Sequence, residues 1–218
     1  MQPELFLFDM DHTLVDNDCD VSWKYFLCEI GMIPKTDLQK AESFFEDYAE
    51  GRLEIEQFME FQLAEFRGRT EEEIKSLTEQ HFRQHVKPHL YSQGEQTVHE
   101  VLQSGFPVAL LTATNCEIAR PLAEYLGIRE VLAVRPQIKD RRFTGSFIPP
   151  YSGGANKVLL AEEFCRRHDK TLLEAAYYGD SHNDLPILEA VGFPRIVNPN
   201  SRLRKLVENK DWPILRWN

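Results

Sequence analysis

The sequence has little of what marks membrane and secreted proteins. No apolar run approaches the roughly 20 residues that a membrane-spanning helix needs. The N-terminal residues also lack a basic segment followed by a signal-like apolar stretch. These absences predict a cytoplasmic protein that does not bind membranes.

Cysteine is scarce and irregularly spaced. The chain holds 4 cysteines, none of them in a CxxC pattern: Cys19, Cys28, Cys116 and Cys165. Such spacing indicates neither a disulfide framework nor a zinc site. We therefore expect free thiols.

Positive charge is also in short supply. Lysine and arginine number 25 against 35 acidic residues, which gives a formal net charge of -10. The basic cluster Lys139 to Arg142 is too short to form a binding stripe, and the overall charge repels nucleic-acid phosphates. We expect no nucleic-acid partner and interpret the cluster as a solvated turn.

The sequence does contain two stretches with different hydrophobic patterns. Residues 22–86 show helical spacing of apolar side chains, with no convincing strand among them. Possible capping boxes occur at Thr36 with Gln39 and at Thr70 with Glu73. From Tyr91 onward, short apolar strands alternate with helices, which is typical of an α/β protein with a doubly wound parallel sheet. We predict a core domain of residues 1–15 and 89–218, interrupted by a helical domain of residues 16–88.

Polar residues follow several of the predicted strands. Leu5 to Phe8 reads as a buried strand that ends in Asp9 and Asp11, and Ala175 to Tyr178 leads into Asp180 and Asp184. Thr112 follows a third strand, and Lys157 opens a later helix. The carboxyl ends of parallel strands meet at one edge of a sheet, where ligands bind. Carboxylates, a hydroxyl and a lysine gathered there favour magnesium-dependent phosphoryl transfer.

These residues resemble the motifs of the haloacid dehalogenase (HAD) superfamily of aspartate-nucleophile phosphatases. The motifs are Asp9-x-Asp11-x-Thr13, Thr112, Lys157 and Gly179-Asp180-x-x-x-Asp184, in the family's order and spacing. The resemblance covers the whole chain and implies a HAD-like Rossmannoid sheet with an inserted C1-type helical cap. The position of the insertion is similar to that in the phosphoserine phosphatase-like branch (subfamily IB).

The resemblance implies a role for each motif residue. Asp9 would attack phosphorus and form an aspartyl-phosphate, while Asp11 would carry protons to the leaving group and from water. Mg²⁺ would be held by Asp9, Asp11 and Asp180, with Asp184 supporting them. The phosphoryl oxygens would be held by Thr112, Ala113, Lys157 and Asn183. His12 and His182 lie within the motifs and receive no catalytic role.

Two residues of the predicted cap bear on the substrate. Phosphoserine phosphatases take the substrate amine with a glutamate shortly after the first motif, and Asp18 stands at the matching place. They hold the serine carboxylate with a cap arginine, where alignment places Gln62, a neutral amide that cannot balance a carboxylate. A phosphate ester with an amine but no carboxylate fits better, as in the histidinol-phosphate phosphatases of this branch. Phosphoserine remains the alternative, because Arg67 or Arg69 could replace the missing arginine.

Three other functions compete with that of a small-molecule phosphatase. A signalling receiver domain also uses Mg²⁺ and an aspartate, but it predicts a shorter chain without a helical cap. A catalytically inactive relative is disfavoured by the full set of acids, and phosphotransfer to a sugar hydroxyl stays possible. The cap phenylalanines Phe44, Phe45, Phe58 and Phe66 are interpreted as bundle core, and His81, His85 and His89 as a solvated or interface face. The sequence leaves the oligomeric state open between a monomer and a homodimer.

Overall fold

Strand β1 (Leu5–Phe8) lies in the middle of the sheet in the computed structural model, which describes residues 2–218. The sheet has seven strands in the order β4-β3-β2-β1-β5-β6-β7, and every neighbouring pair is parallel except β3 with β4. The other strands are β2 (Val108–Asn115), β3 (Glu130–Lys139), β4 (Arg142–Ile148), β5 (Ala175–Gly179), β6 (Phe193–Val197) and β7 (Ile214–Leu215). The fold is therefore mixed α/β with a mostly parallel sheet, as the alternating pattern predicts.

Helices account for most of the remaining chain. They are α1 (Cys19–Glu29), α2 (Thr36–Glu50), α3 (Ile55–Gln62), α4 (Glu71–His81), α5 (Ser92–Gln103), α6 (Cys116–Leu126), α7 (Asn156–Arg167), α8 (Leu185–Ala190) and α9 (Ser201–Leu206). A π-helical turn, Phe82–Val86, continues α4. Among residues 2–218, none of these helices combines the length and apolar content that crossing a bilayer requires.

Both faces of β1 are buried, which explains its unbroken apolar sequence. Leu5 and Leu7 point to one side and join a cluster with α7 and α8. Phe6 and Phe8 point to the other side and join a larger cluster. Side chains alternate along a strand, so four consecutive apolar residues supply two separate cores.

The larger cluster runs without interruption from the sheet into the inserted helices α1 to α4. It contains Phe8 and Val98 from the α/β part together with Trp23, Phe58 and Phe66 from the insertion. The insertion therefore shares its hydrophobic core with one face of the sheet. The division at residues 16 and 89 remains a prediction.

The β3–β4 hairpin was only partly predicted. Sequence analysis indicated a strand over Val131 to Val134, whereas β3 continues to Lys139 and β4 returns antiparallel to it. The solvated turn expected at Lys139 to Arg142 joins the two strands through Asp140 and Arg141, both with positive φ. Polar and apolar residues are mixed from Arg135 to Ile148, so no apolar run marked this part as strand.

The hairpin also contacts the inserted helices through its backbone. Gly68 N donates to Phe143 O at 2.8 Å, and Phe143 N donates to Arg69 O at 2.9 Å. The rings of Phe66 and Phe143 meet edge to face with centroids 5.3 Å apart. Sheet and insertion are thus held together by backbone hydrogen bonds as well as by packing.

The two predicted capping boxes have different outcomes. At α4, Thr70 Oγ1 accepts from Glu73 N, and the Glu73 carboxylate accepts from Thr70 N, so the predicted box is confirmed. The box predicted at Thr36 and Gln39 is wrong. The residue that precedes α2 is Lys35, in helical conformation, and Asp37 N donates to Pro34 O.

Candidate active site

Asp9 is the first residue after β1 and is almost fully buried. Its Oδ1 accepts a hydrogen bond from Met10 N at 2.9 Å and lies 3.0 Å from Lys157 Nζ. Burial raises the pKa of Asp9 to about 8, with Asp184 and Asp11 adding to the rise and Lys157 opposing it. In the absence of a further cation, this carboxylate binds a proton more tightly than its reference pKa of about 3.9 implies.

Lys157 connects two of the predicted site residues. Its Nζ lies 3.0 Å from Asp9 Oδ1 and donates to Asp184 Oδ1 at 2.7 Å and to Tyr177 OH at 2.9 Å. Burial disfavours the ammonium charge, but Asp184 and Asp9 outweigh it and raise the pKa of Lys157. The lysine is therefore held as a cation beside Asp9.

Three carboxylates converge at the ends of β1 and β5. Oxygens of Asp9, Asp180 and Asp184 all lie within 4.8 Å of one another, and all three residues are buried. Burial, followed by the charges of Asp184 and Asp9, raises the pKa of Asp180 well above its ordinary value. Oxygen donors are the ligands that Mg²⁺ prefers, and a cation here would offset the repulsion between the acids, so this set fits the metal.

Asp184 differs from Asp180 in how many protein groups its carboxylate contacts. Its Oδ1 accepts from Lys157 Nζ and from Tyr177 OH, each at 2.7 Å, and its Oδ2 accepts from Ser181 N at 3.1 Å. Both oxygens therefore already have donors. This arrangement agrees with a supporting role for Asp184 beside a metal.

The side chain of Asp11 makes contacts away from this cluster. Its Oδ1 accepts from Cys19 N at the start of α1, at 2.8 Å, and its Oδ2 accepts from Thr114 Oγ1 at 2.7 Å. Asp11 is thus oriented by one residue of the insertion and one residue of β2. The family resemblance implies that a metal contact from Asp11 uses its backbone carbonyl, which leaves these side-chain contacts in place.

The predicted phosphate-binding residues lie on three different elements. Thr112 and Ala113 line the cavity from β2, and Thr112 Oγ1 accepts from Thr114 N at 3.1 Å. Lys157 lines it from α7. Asn183 lies in the short 3₁₀ turn after β5, and its side chain interacts with the Tyr48 hydroxyl. Asn183 does not belong to the cavity lining, so its phosphate contact stays a prediction.

A cavity of about 490 Å³ lies between the sheet edge and the inserted helices. Its floor contains Asp9, Asp11, Thr112, Lys157 and Asp180. The opposite wall comes from α1, α2 and α3. A volume of this size suits a small metabolite rather than a macromolecule.

The two predicted specificity residues both line this cavity. Asp18 caps α1 by accepting from Val21 N at 2.8 Å, and burial, then the charge of Asp11, raises its pKa to about 6. Gln62 lies at the end of α3, and its Nε2 donates to Asp20 O at 3.3 Å. Whether either side chain contacts substrate remains a prediction.

The cap phenylalanines contribute to the cavity as well as to the bundle core. Phe66 is fully buried, as expected, but Phe44, Phe45 and Phe58 line the cavity. Helical spacing finds the apolar face of a helix without showing whether a protein core or a ligand cavity lies against it. The interpretation as core is therefore confirmed for Phe58 and Phe66, which belong to the larger hydrophobic cluster, and for Phe44, which packs against it. It is wrong for Phe45, which is 39% exposed.

Sequence reasoning did not assign several further lining residues. Tyr151 precedes α7, Tyr48 lies on α2, and Asp20 is the second residue of α1. Asn198 is held in a positive-φ conformation by two hydrogen bonds of 3.0 Å with the backbone of Trp217. The sequence does carry a signal for Asp20 and for Asp16, which also lines the cavity, because both are acids close to the first motif that could suit an amine or an imidazole.

The chain belongs to the haloacid dehalogenase-like hydrolase family, whose model matches residues 6–189. This hydrolase family, together with a relative in sequence that is named as a phosphatase, supports phosphatase activity. The resemblance inferred from the motifs is confirmed.

One relative that is similar in sequence is a histidinol-phosphatase from Neisseria meningitidis. It is 28% identical over 218 residues, which cover 98% of each protein. Phosphoserine phosphatase SerB1 from Mycobacterium tuberculosis is 29% identical over 168 residues, covering 77% of this chain and 52% of the relative. The names of these two relatives refer to histidinol phosphate and phosphoserine, the two candidate substrates between which the motifs do not decide.

Solved structures show the same fold. A protein of unknown function from Bordetella pertussis is 30% identical, with a TM-score of 0.88 over 99% of both chains. A phospho-aspartyl intermediate analogue of phosphoserine phosphatase is 20% identical, with a TM-score of 0.72 over 98% of this chain and 94% of that one.

Proposed function

We propose that the protein is a Mg²⁺-dependent phosphomonoesterase that acts through an aspartyl-phosphate at Asp9. The observation that carries the proposal is the position of Asp9, which lies at the floor of the cavity, within 3.0 Å of the Lys157 ammonium and among converging carboxylates. A carboxylate so placed can reach a phosphoryl group bound in the cavity.

The reaction has two displacements on the proposed route. An oxygen of Asp9 attacks phosphorus while the bond from phosphorus to the substrate alkoxide breaks, and Asp11 gives its proton to that alkoxide. A water molecule then attacks the phosphorus, Asp11 takes a proton from it, and the Asp9 carboxylate leaves. The contacts of Asp11 with Cys19 N and Thr114 Oγ1 hold its carboxyl in one orientation for both transfers.

The residues that would hold Mg²⁺ are Asp9, Asp180 and the backbone carbonyl of Asp11, with Asp184 supporting them. When bound, Mg²⁺ supplies positive charge that favours the ionised carboxylates and neutralises the transferring phosphoryl group. Lys157 supplies a second positive charge beside Asp9, and Thr112 and Ala113 supply donors from β2, as proposed for the phosphoryl oxygens. Asn183 is assigned to the same group by the motif resemblance.

The substrate is proposed to be a small phosphate ester with an amine, and L-histidinol phosphate is the preferred candidate. Asp18 lines the cavity and offers negative charge to an amine, whereas Gln62 offers no positive charge to a carboxylate. The full-length similarity to a histidinol-phosphatase favours the same choice. Phosphoserine is the second candidate, because the structural neighbours include phosphoserine phosphatases.

The test is phosphate release by wild type and by Asp9→Asn, with and without Mg²⁺. We expect wild-type turnover of histidinol phosphate with Mg²⁺, loss of that turnover on metal chelation, and no turnover by Asp9→Asn. Asp169→Asn, which alters an exposed acid in a turn after α7, serves as the control and should keep full activity. Retained turnover by Asp9→Asn would exclude Asp9 as the nucleophile, and faster turnover of phosphoserine would reverse the substrate order.

A further inference from the structure

The cap end of the cavity contains a polar atom without a protein partner. Gln62 is only 1% exposed and lines the cavity. Its Nε2 donates to Asp20 O, while its Oε1 has no hydrogen-bond partner among the described residues. A buried acceptor without a donor costs free energy, so the position favours a ligand that brings an N–H or O–H group.

Aromatic rings form the wall next to this acceptor. Phe44 and Phe45 come from α2, and Phe58 comes from α3 one turn before Gln62. The rings of Phe44 and Phe58 meet edge to face with centroids 5.5 Å apart. Rings arranged in this way offer flat apolar surface to another ring and attract cations to their faces.

Two carboxyl groups line the same cavity. Asp18 and Asp20 both lie in its lining, at the start of α1, and the backbone carbonyl of Asp20 fixes the amide of Gln62. A ligand that meets the acceptor, the rings and the acids together would be flat, basic and able to donate an N–H bond. Among the described residues, the lysine or arginine in the lining is Lys157 alone, and its ammonium is already paired with Asp9 and Asp184. A carboxylate at the cap end would therefore meet two acids without a cation of its own.

We propose that Gln62 and the phenyl rings of Phe44, Phe45 and Phe58 form a subsite for a basic heteroaromatic ring of the substrate, whose N–H donates to Gln62 Oε1. The inference rests on the proposed phosphatase function and specifies what the substrate carries beyond its phosphoryl group and amine. On this proposal, the aromatic wall of the cap contributes to substrate selectivity together with the acids at the start of α1.

The experiment compares two esters that differ by the ring. Histidinol phosphate carries an amine and an imidazole, whereas O-phosphoethanolamine carries an amine alone. We expect Phe58→Leu and Gln62→Met each to lower kcat/KM for histidinol phosphate by about tenfold, and to change kcat/KM for phosphoethanolamine by less than about twofold.

Phe61→Leu is the matched control. Phe58 and Phe61 lie on the same helix, are each 8% exposed and both pack against Phe44, but only Phe58 lines the cavity. Phe61→Leu should leave the ratio between the two esters unchanged. Equal losses on both esters in Phe58→Leu and Gln62→Met, or no loss on either, would overturn the ring subsite.

Acetyl phosphate separates failure of this inference from failure of the proposed function. It shares only the phosphoryl group with the other substrates. If wild type hydrolyses acetyl phosphate with Mg²⁺ but not histidinol phosphate, the subsite is overturned and the phosphatase function stands. If it hydrolyses neither, both proposals fail.

Discussion

His81 is a titratable residue that the cap buries completely. Its Nε2 lies 2.9 Å from Ser22 Oγ, and its ring packs against Trp23, Phe26 and His85. Burial, with a smaller contribution from His85, lowers the pKa of His81 to about 3. The expectation of a solvated or interface face was therefore wrong for this residue.

The low pKa of His81 predicts acid sensitivity of the fold. The unfolded chain binds a proton on this residue below a pH of about 6.5, while the folded chain stays neutral until about pH 3, so acid favours unfolding across that interval. When the pH falls from 7 to 5, protonation of His81 in the unfolded chain should lower the free energy of unfolding of wild type by about 2 kcal/mol. Urea denaturation at both pH values should show this loss reduced in His81→Gln.

His99→Gln provides the comparison for that experiment. His99 is exposed on α5, so its replacement should leave the difference between the two pH values unchanged. An equal pH dependence in wild type and His81→Gln would contradict a buried neutral histidine.

Single residues of the site were predictable to different degrees. Asp9 and Asp180 follow buried strands, and Thr112 lies in the C-terminal half of β2. Parallel topology brings strand ends together, so the convergence of these residues follows from sequence pattern. The orientation of Gln62 does not, because it depends on a hydrogen bond to the backbone of α1. No local pattern encodes which atom of an amide a distant helix will bind.

Asp18, the N-cap residue of helix α1, has two proposed roles. Asp18 caps the helix through Val21 N, and its carboxylate also lines the cavity. Asparagine caps helices about as well as aspartate, whereas alanine does not. The two tasks can therefore be separated by substitution.

Asp18→Asn should raise KM for an amine-bearing ester several-fold with little change in Tm. Asp18→Ala should raise KM similarly and also destabilise the protein by about 1 kcal/mol, or about 2–4 °C in Tm. Steady-state kinetics at pH 8, where a carboxylate with a pKa of about 6 is ionised, and thermal unfolding measure both effects. An unchanged KM in Asp18→Asn would remove this residue from substrate binding.

Elements with strong periodicity were predictable, and those defined by pairing were not. The parallel strands near the middle of the sheet are apolar because helices cover both faces, so β1 and β5 stand out in the sequence. Strand β4 lies at the sheet edge and contains the polar residues Arg142, Thr144 and Ser146, and β7 has only two residues. Their strand conformation depends on neighbouring chain rather than on their own composition.

At the scale of the whole molecule, the continuous hydrophobic cluster predicts cooperative unfolding. Trp23 reports on the inserted helices, and Trp217, stacked on Tyr178 with centroids 5.7 Å apart, reports on the sheet. In Trp23→Phe, fluorescence from Trp212 and Trp217 should lose its native signal at the same urea concentration as the far-ultraviolet circular dichroism. Two separated midpoints would show that the insertion and the sheet unfold independently.

The backbone hydrogen bonds between the Gly68 turn and Phe143 have a consequence for how this protein can evolve or be redesigned. A helical insertion that shares its core and two main-chain bonds with the sheet cannot be exchanged for another as a self-contained module. A transplanted cap would leave Phe143 and the sheet face beneath it without their partners. New specificities are therefore most accessible through point substitutions on the inward faces of α2 and α3, which leave that junction intact.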